Sequence, residues 1–228
     1  KILMGSGASA PAYEIEQSLN FNWGDDSVMK RTPSTTGNRK TWTVSMWLKR
    51  HADSVSGGTN HTYGVFWGTD DGGGTHYTQL TFYHPNSQID FTSYHYSSGA
   101  TFRLRTNRIF RDTSAWFHLV FVLDTTQSTT ANRMKMYING IEETSFSDRS
   151  DPAQNRDGWV NYANNYDMLL GNGYIGNAGN VNYQTSFGVA ELNFIDGTAL
   201  TPSSFAKTNS ATGQWVPKEY EGGSYGTN

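Results

Sequence analysis

Residues 116–124 read Trp116-Phe117-His118-Leu119-Val120-Phe121-Val122-Leu123-Asp124. At period two, Phe117, Leu119, Phe121 and Leu123 share one face of a strand. Trp116, His118, Val120 and Val122 share the other. A strand apolar on both faces is covered on both sides or lies centrally in a curved sheet. His118 sits mid-strand, where the spacing predicts a hydrogen-bonded core or groove histidine.

The next segment behaves differently. In "RMKMYINGIEE" (133–143), Met134, Met136 and Ile138 share a face, and Arg133, Lys135 and Tyr137 share the opposite one. One side is core and one is wet. Asn139-Gly140 supplies the two positive-φ residues of a type I′ turn, a strong hairpin signal. A polar loop, "TTQSTTAN" (125–132), joins the two kinds of strand, as expected of two stacked sheets.

Working outward, the pattern repeats. "SLNFN" (18–22), "SVMKRT" (27–32), "KTWTVSMWLKR" (40–50), "YGVFWGT" (63–69), "YTQLTFYH" (77–84), "QIDFTSYHY" (88–96), "ATFRLRT" (100–106), "DMLLGN" (167–172) and "FGVAELNFIDG" (187–197) read as strands between turn residues. About a dozen strands at this spacing predict an all-β, two-sheet antiparallel sandwich. Only Thr201-Pro202-Ser203-Ser204-Phe205 reads as helix, with a threonine cap and Pro at the first position. Residues 147–166 read as a long polar insertion carrying Trp159, Tyr162 and Tyr166.

Composition narrows the function. Lys and Arg total 17 against 20 Asp and Glu, a net charge of -3, which disfavours a general grip on nucleic acid. No run of about 18 apolar residues is present, so no membrane insertion is expected. The chain has no cysteine, which removes disulfides and thiolate metal sites and suits folding in a reducing cytoplasm. The Gly-, Ala- and Ser-rich residues 1–12 read as an extended arm, and residues 13–228 as one domain. Neither end reads as a natural terminus, so a processed chain or a fragment is expected.

Three segments together carry a family pattern: "KTWTVSMWLKR" (40–50), "AWFHLVFVLDTT…NRMKMYINGIEE" (115–143) and "FGVAELNFIDGTALTPSSFA" (187–206). They resemble the laminin-G-like, concanavalin A-like jelly-roll family over about residues 13–205. The late segments "AELNFIDGTALTPSSF" and "TGQWVPKEYEGGSYG", with the leader "KILMGSGASAPAYEIEQSL", resemble structural proteins of tailed bacteriophages, especially marine ones. The resemblance implies a virion-surface module, in a tail, fibre or capsid-decorating position. It would be assembled in the host cytoplasm, as a homo-oligomer, with the arm docked on other virion proteins and host envelope polysaccharide as a further partner. The alternative is a carbohydrate-binding module of a secreted cellular protein or glycanase.

The residues point to binding rather than catalysis, so no enzyme is expected. No Glu-x-Asp-x-Glu run furnishes the close carboxylate pair of a retaining glycosidase. Glu191 shares a face with Asn193 but not with Asp196, and is expected to bond a neighbouring loop. Arg103, Arg105, His95 and Tyr96 are close in sequence without a lyase signature. Sugars stack on exposed aromatic rings, which makes Tyr94, Tyr96, Trp159, Tyr162 and Tyr166 the carbohydrate-binding candidates. No cofactor is expected. A Ca²⁺ site is weighed at Asp70 and Asp71 in the Gly-rich loop of "FWGTDDGGGTHY" (66–77), where turn chemistry explains the same residues.

Overall fold

The computed structural model describes residues 13–22, 25, 27–51, 63–70, 76–83, 86–95, 102–163, 166–171 and 185–226; of residues 63–66 and 70 it describes only the backbone. In chain order the strands are β1 (Leu19–Phe21), β2 (Val28–Arg31), β3 (Thr41–Arg50), β4 (Tyr63–Asp70), β5 (His76–Tyr83), β6 (Gln88–His95), β7 (Phe102–Ile109), β8 (Trp116–Asp124), β9 (Met134–Ile138), β10 (Ile141–Glu142), β11 (Phe146–Ser150), β12 (Asp167–Gly171), β13 (Phe187–Asp196), β14 (Ala206–Thr208) and β15 (Trp215–Pro217). They form a six-stranded sheet in the order β1-β13-β3-β8-β9-β10 and a seven-stranded sheet in the order β11-β7-β6-β5-β4-β12-β2. A short β14-β15 pair completes the set. The two large antiparallel sheets pack face to face as a jelly-roll sandwich, the all-β fold expected from the sequence.

Alternation explains the interior. Trp42, Val44, Met46 and Leu48 of β3 and Leu119, Phe121 and Leu123 of β8 point into one core with Trp67, Leu80, Phe91 and Leu104 of the opposing sheet. At its centre Trp42 lies 5.6 Å from Trp67 and 5.5 Å from Phe121, and Phe91 stacks on Phe121 at 3.9 Å.

The second face of β8 is apolar because the C-terminal segment covers it. Val120 and Val122 pack with Ile195 and Phe205, flanked by Tyr137, Leu200 and Tyr220. Trp47 packs with Ala190 and Ala206, flanked by Trp215. Main-chain bonds tie this segment down: Lys218 N–H donates to the Phe205 carbonyl (3.0 Å) and Asp196 N–H to that of Tyr225 (2.9 Å). The Asn139-Gly140 turn takes φ +49° and +81°, as a type I′ turn requires.

Two expectations are corrected. Residues 202–204 form one 3₁₀ turn, not a helix. The Thr201 side chain makes no cap; its hydroxyl bonds Ser203, and the chain turns at once into β14. The polar stretch from 147 is also not all loop. Phe146–Ser150 is strand β11, paired to β7 at the sheet edge. Its sequence hides this because both its faces are largely wet. The turn beyond it is pinned by the buried Arg133, whose guanidinium donates to the carbonyls of Gln127, Ser128 and Pro152.

Candidate functional site

Strands β5 and β6 pair in register from Tyr83↔Gln88 to His76↔His95. Alternation sends His76 and His95 toward the side of the core residues Leu80 and Phe91, at the rim of the sandwich. It sends Tyr77 and Tyr94 to the opposite face. The candidate site is this end of the ladder, where both faces carry rings.

On the rim side, the turn preceding β12 brings Trp159, Tyr162 and Tyr166 together. The Trp159 and Tyr166 rings stack at 5.4 Å and 7° between planes, and Tyr162 lies 5.2 Å from Tyr166. Tyr166 is only 5% exposed, so it backs the cluster rather than forming its surface. Trp159 and Tyr162 are half-buried. His76 and His95 meet Trp159 at 4.6 and 5.0 Å and each other at 4.4 Å, edge to face. Burial, then His76 and Arg156, push the His95 pKa below its usual value, leaving a neutral ring that can donate and accept. The Arg39 guanidinium lies 4.0 Å above the Tyr162 ring and 5.3 Å from Trp159. It is aimed by Arg39 Nε donating to the Gly158 carbonyl (2.8 Å), while Gly158 N–H donates back to the Arg39 carbonyl (2.9 Å).

On the opposite face, half-buried Tyr94 stacks beside Tyr77 at 5.3 Å. Beyond them the ladder places Gln79 opposite Thr92, and Thr92 opposite Arg103. The next row holds Asp90 opposite Arg105. Asp90 is fully buried, bonded by Arg105 Nη2 at 2.9 Å and approached by Arg103 Nε at 3.4 Å. Arg103 also pairs with Asp148 at 3.3 Å. Both arginines are thus neutralised by carboxylates, and Arg105 further lies over Tyr83 at 3.5 Å.

The structure therefore joins Trp159, Tyr162 and Tyr166 directly, and sets Tyr94 on the other face one residue from His95. Tyr96 and Asp71 lie outside the described residues, as do residues 1–12. Asp70 is described only as backbone, paired with Tyr77 and Asp167. Among the described residues no cluster of His, Asp or Glu could hold a metal ion. Arg39, His76 and Tyr77 were not legible as site residues. Their neighbours come from strand pairing and from a return of the chain over more than a hundred residues.

Two constellations elsewhere resemble catalytic groups. Ser45 Oγ lies 2.8 Å from His118 Nε2 in the interior. Trp215 Nε1 donates to His118 Nδ1 at 3.1 Å, so the ring proton resides on Nε2 and is donated to Ser45. A histidine in that tautomer cannot take the serine proton. Glu191 sits in the β13 bulge at φ +50° and accepts a hydrogen bond from Tyr13 at 2.7 Å. Asp196 Oδ1 accepts from Asn38 N–H and Asn161 Nδ2, both at 2.8 Å, and braces the loops.

The family model described as "Concanavalin A-like lectin/glucanases superfamily" matches residues 23–182. Among solved structures, the chain is similar to the native heptameric SAP-like pentraxin from Limulus polyphemus at 15% identity and a TM-score of 0.51, covering 81% of this chain and 77% of that one. It is also similar to domains LG4-5 of the mouse laminin alpha1 chain, at 13% identity and a TM-score of 0.53. That alignment covers 84% of this chain and 47% of the laminin fragment. No curated protein matches the sequence.

Proposed function

The chain belongs to the concanavalin A-like lectin/glucanases superfamily, and from that premise we propose that it is a non-catalytic glycan-binding module carried on the surface of a tailed-bacteriophage particle. The observation that supports glycan binding is the rim cluster. The half-buried rings of Trp159 and Tyr162 are braced from below by Tyr166 and flanked by the hydrogen-bonding edges of His76, His95 and Arg39. A sugar needs this mixture: an apolar surface for its C–H face and fixed polar groups for its hydroxyls. Tyr77 and Tyr94 form a separate stacked pair on the opposite face of the same strand ends.

The virion setting rests on the likeness of residues 190–205, 212–226 and 1–19 to phage structural proteins. In this reading the ligand is host envelope polysaccharide, residues 1–12 reach a neighbouring virion protein, and several copies act together. Avidity then makes a weak single site sufficient. A secreted cellular carbohydrate-binding module would use the same rim, and only its setting differs.

Binding is tested by titrating the chain against a panel of bacterial envelope polysaccharides. Saturable binding that Trp159→Ala weakens is expected. Absence of binding across the panel overturns the glycan assignment. Cryo-electron microscopy of particles should show the chain in a fixed copy number on the virion, and its absence there favours the cellular setting.

A further inference from the structure

The opposite sheet carries a second depression. On the outer face of the six-stranded sheet a cavity of about 300 Å³ lies between Trp47, Trp116 and Ala190, with the chain segment 15–18 along one side. That volume falls at the lower end of the range for small-molecule sites.

The cavity is built by an alternation of large and small residues across three strands. Ala190 of β13 pairs with Trp47 of β3, and Gly188 and Trp116 both pair with Lys49. A Cβ at Gly188 would stand 3.1 Å from Trp116 Cη2 and 3.1 Å from Asn20 Oδ1. The missing side chain is what lets the Trp116 indole lie across the sheet. Ala190, with only a methyl group, leaves depth beside it. Trp116 is 38% exposed, a large apolar ring left in water. Trp47 is 9% exposed, and among the described residues its buried indole N–H has no acceptor.

We propose that this cavity is a second sugar-binding site, taking one or two neutral pyranose rings. The two indoles offer the apolar surface that a sugar's C–H face covers. The lip of Glu16, Gln17 and Ser18 offers a carboxylate, an amide and a hydroxyl to the ring's edge. A polyhydroxylated ring meets the apolar wall with its C–H face and the exposed polar lip with its hydroxyls. This site shares no residue with the rim cluster and does not rest on it. Two sites on opposite sheets would let one module bridge two chains of a polysaccharide.

The test is saturation-transfer NMR and tryptophan fluorescence with maltotriose, cellotriose and chitotriose as probes. At least one should bind saturably at millimolar concentration or below. Trp116→Ala should weaken it about tenfold, the loss of one aromatic contact. Ala190→Leu should abolish it by filling the cavity, and the effect of Trp116→Ala should persist in a Trp159→Ala background, where the rim cluster is disabled. Trp116 is exposed, so its variant reports even where Ala190→Leu fails to fold. The proposal is overturned if none of the three sugars binds, or if Trp116→Ala leaves the affinity unchanged. It is also overturned if a peptide of residues 1–10 occupies the cavity and the sugars do not. Binding that Trp159→Ala abolishes and Trp116→Ala spares retains the rim site and eliminates this one.

Discussion

The indole N–H of Trp215 donates to Nδ1 of His118 at 3.1 Å, joining the C-terminal hairpin to the middle of the strand that opened the sequence reading. The same ring donates from Nε2 to Ser45. The Trp215 bond needs an unprotonated Nδ1, hence a neutral imidazole, and the ring is 1% exposed.

Burial holds the His118 pKa down to about 4, against 6.5 for a free histidine. Between those values the unfolded chain takes up a proton that the folded chain refuses. Stability from this residue is therefore fully present above pH 6.5 and is lost as the pH falls toward 4. The contribution is about 3 kcal/mol. Urea midpoints at pH 7, 5.5 and 4.5 should fall more steeply for the native chain than for His118→Gln. Parallel curves would contradict this account.

Gly140 and Gly213 form a matched pair for separating backbone strain from steric closure. Both have positive φ, +81° and +72°. A Cβ at Gly140 would stand 2.9 Å from Trp215 Cη2, whereas nothing lies within 4 Å at Gly213. Gly213→Ala should cost about 1 kcal/mol, from φ alone. Gly140→Ala should cost about 3 kcal/mol because the hairpin must also move off the turn. Thermal denaturation of the two variants checks the difference.

Much of this architecture was legible locally. Strands β3, β8, β9 and β13 announced themselves through alternation, and Asn139-Gly140 through its demand for positive φ. What alternation could not reveal was the cover. The C-terminal segment holds on through single residues: Trp215 bonds His118, Tyr225 bonds Asn193, and Phe205 and Tyr220 stack on each other against Val120 and Val122. Strand β11 escaped because Ser147, Asp148, Arg149 and Ser150 lie at an edge with little to bury. The site followed the same division. Trp159, Tyr162 and Tyr166 stood out as aromatics in a polar stretch. Arg39, His76 and Tyr77 acquire their meaning only when the sheet pairs them.

Asp90 tests the electrostatics of the outer face. It is fully buried, and burial raises its pKa even with Arg103 and Arg105 beside it. The folded chain therefore holds this proton to higher pH than the unfolded chain does, and the stability this confers is lost as the pH rises through the folded pKa. Asp90→Asn should cost about 1 kcal/mol, and its deficit should shrink with increasing pH. Arg105→Ala instead leaves Asp90 buried without its closer hydrogen-bonded partner, only Arg103 remaining at 3.4 Å, and should cost about 3 kcal/mol at pH 7. Chemical denaturation at pH 5 and pH 7 should rank the two variants in that order.

Arg39 separates positioning from contact in the rim cluster. Its main chain and side chain both bond Gly158, next to Trp159, and its guanidinium covers Tyr162. Arg39→Lys keeps the charge but loses the planar stacking and the Nε bond. Arg39→Ala loses everything but the main-chain bond. If Arg39 aims the Trp159 ring, both variants should weaken polysaccharide binding by a similar factor, about fivefold, corresponding to roughly 1 kcal/mol. If it acts through charge alone, lysine should restore affinity. Titration at low and high salt discriminates further: a positioning role predicts affinities that change little with ionic strength, because the groups concerned are half-buried and weakly screened. The intrinsic fluorescence of Trp159, read by difference against Trp159→Phe, should shift in both Arg39 variants before any ligand is added.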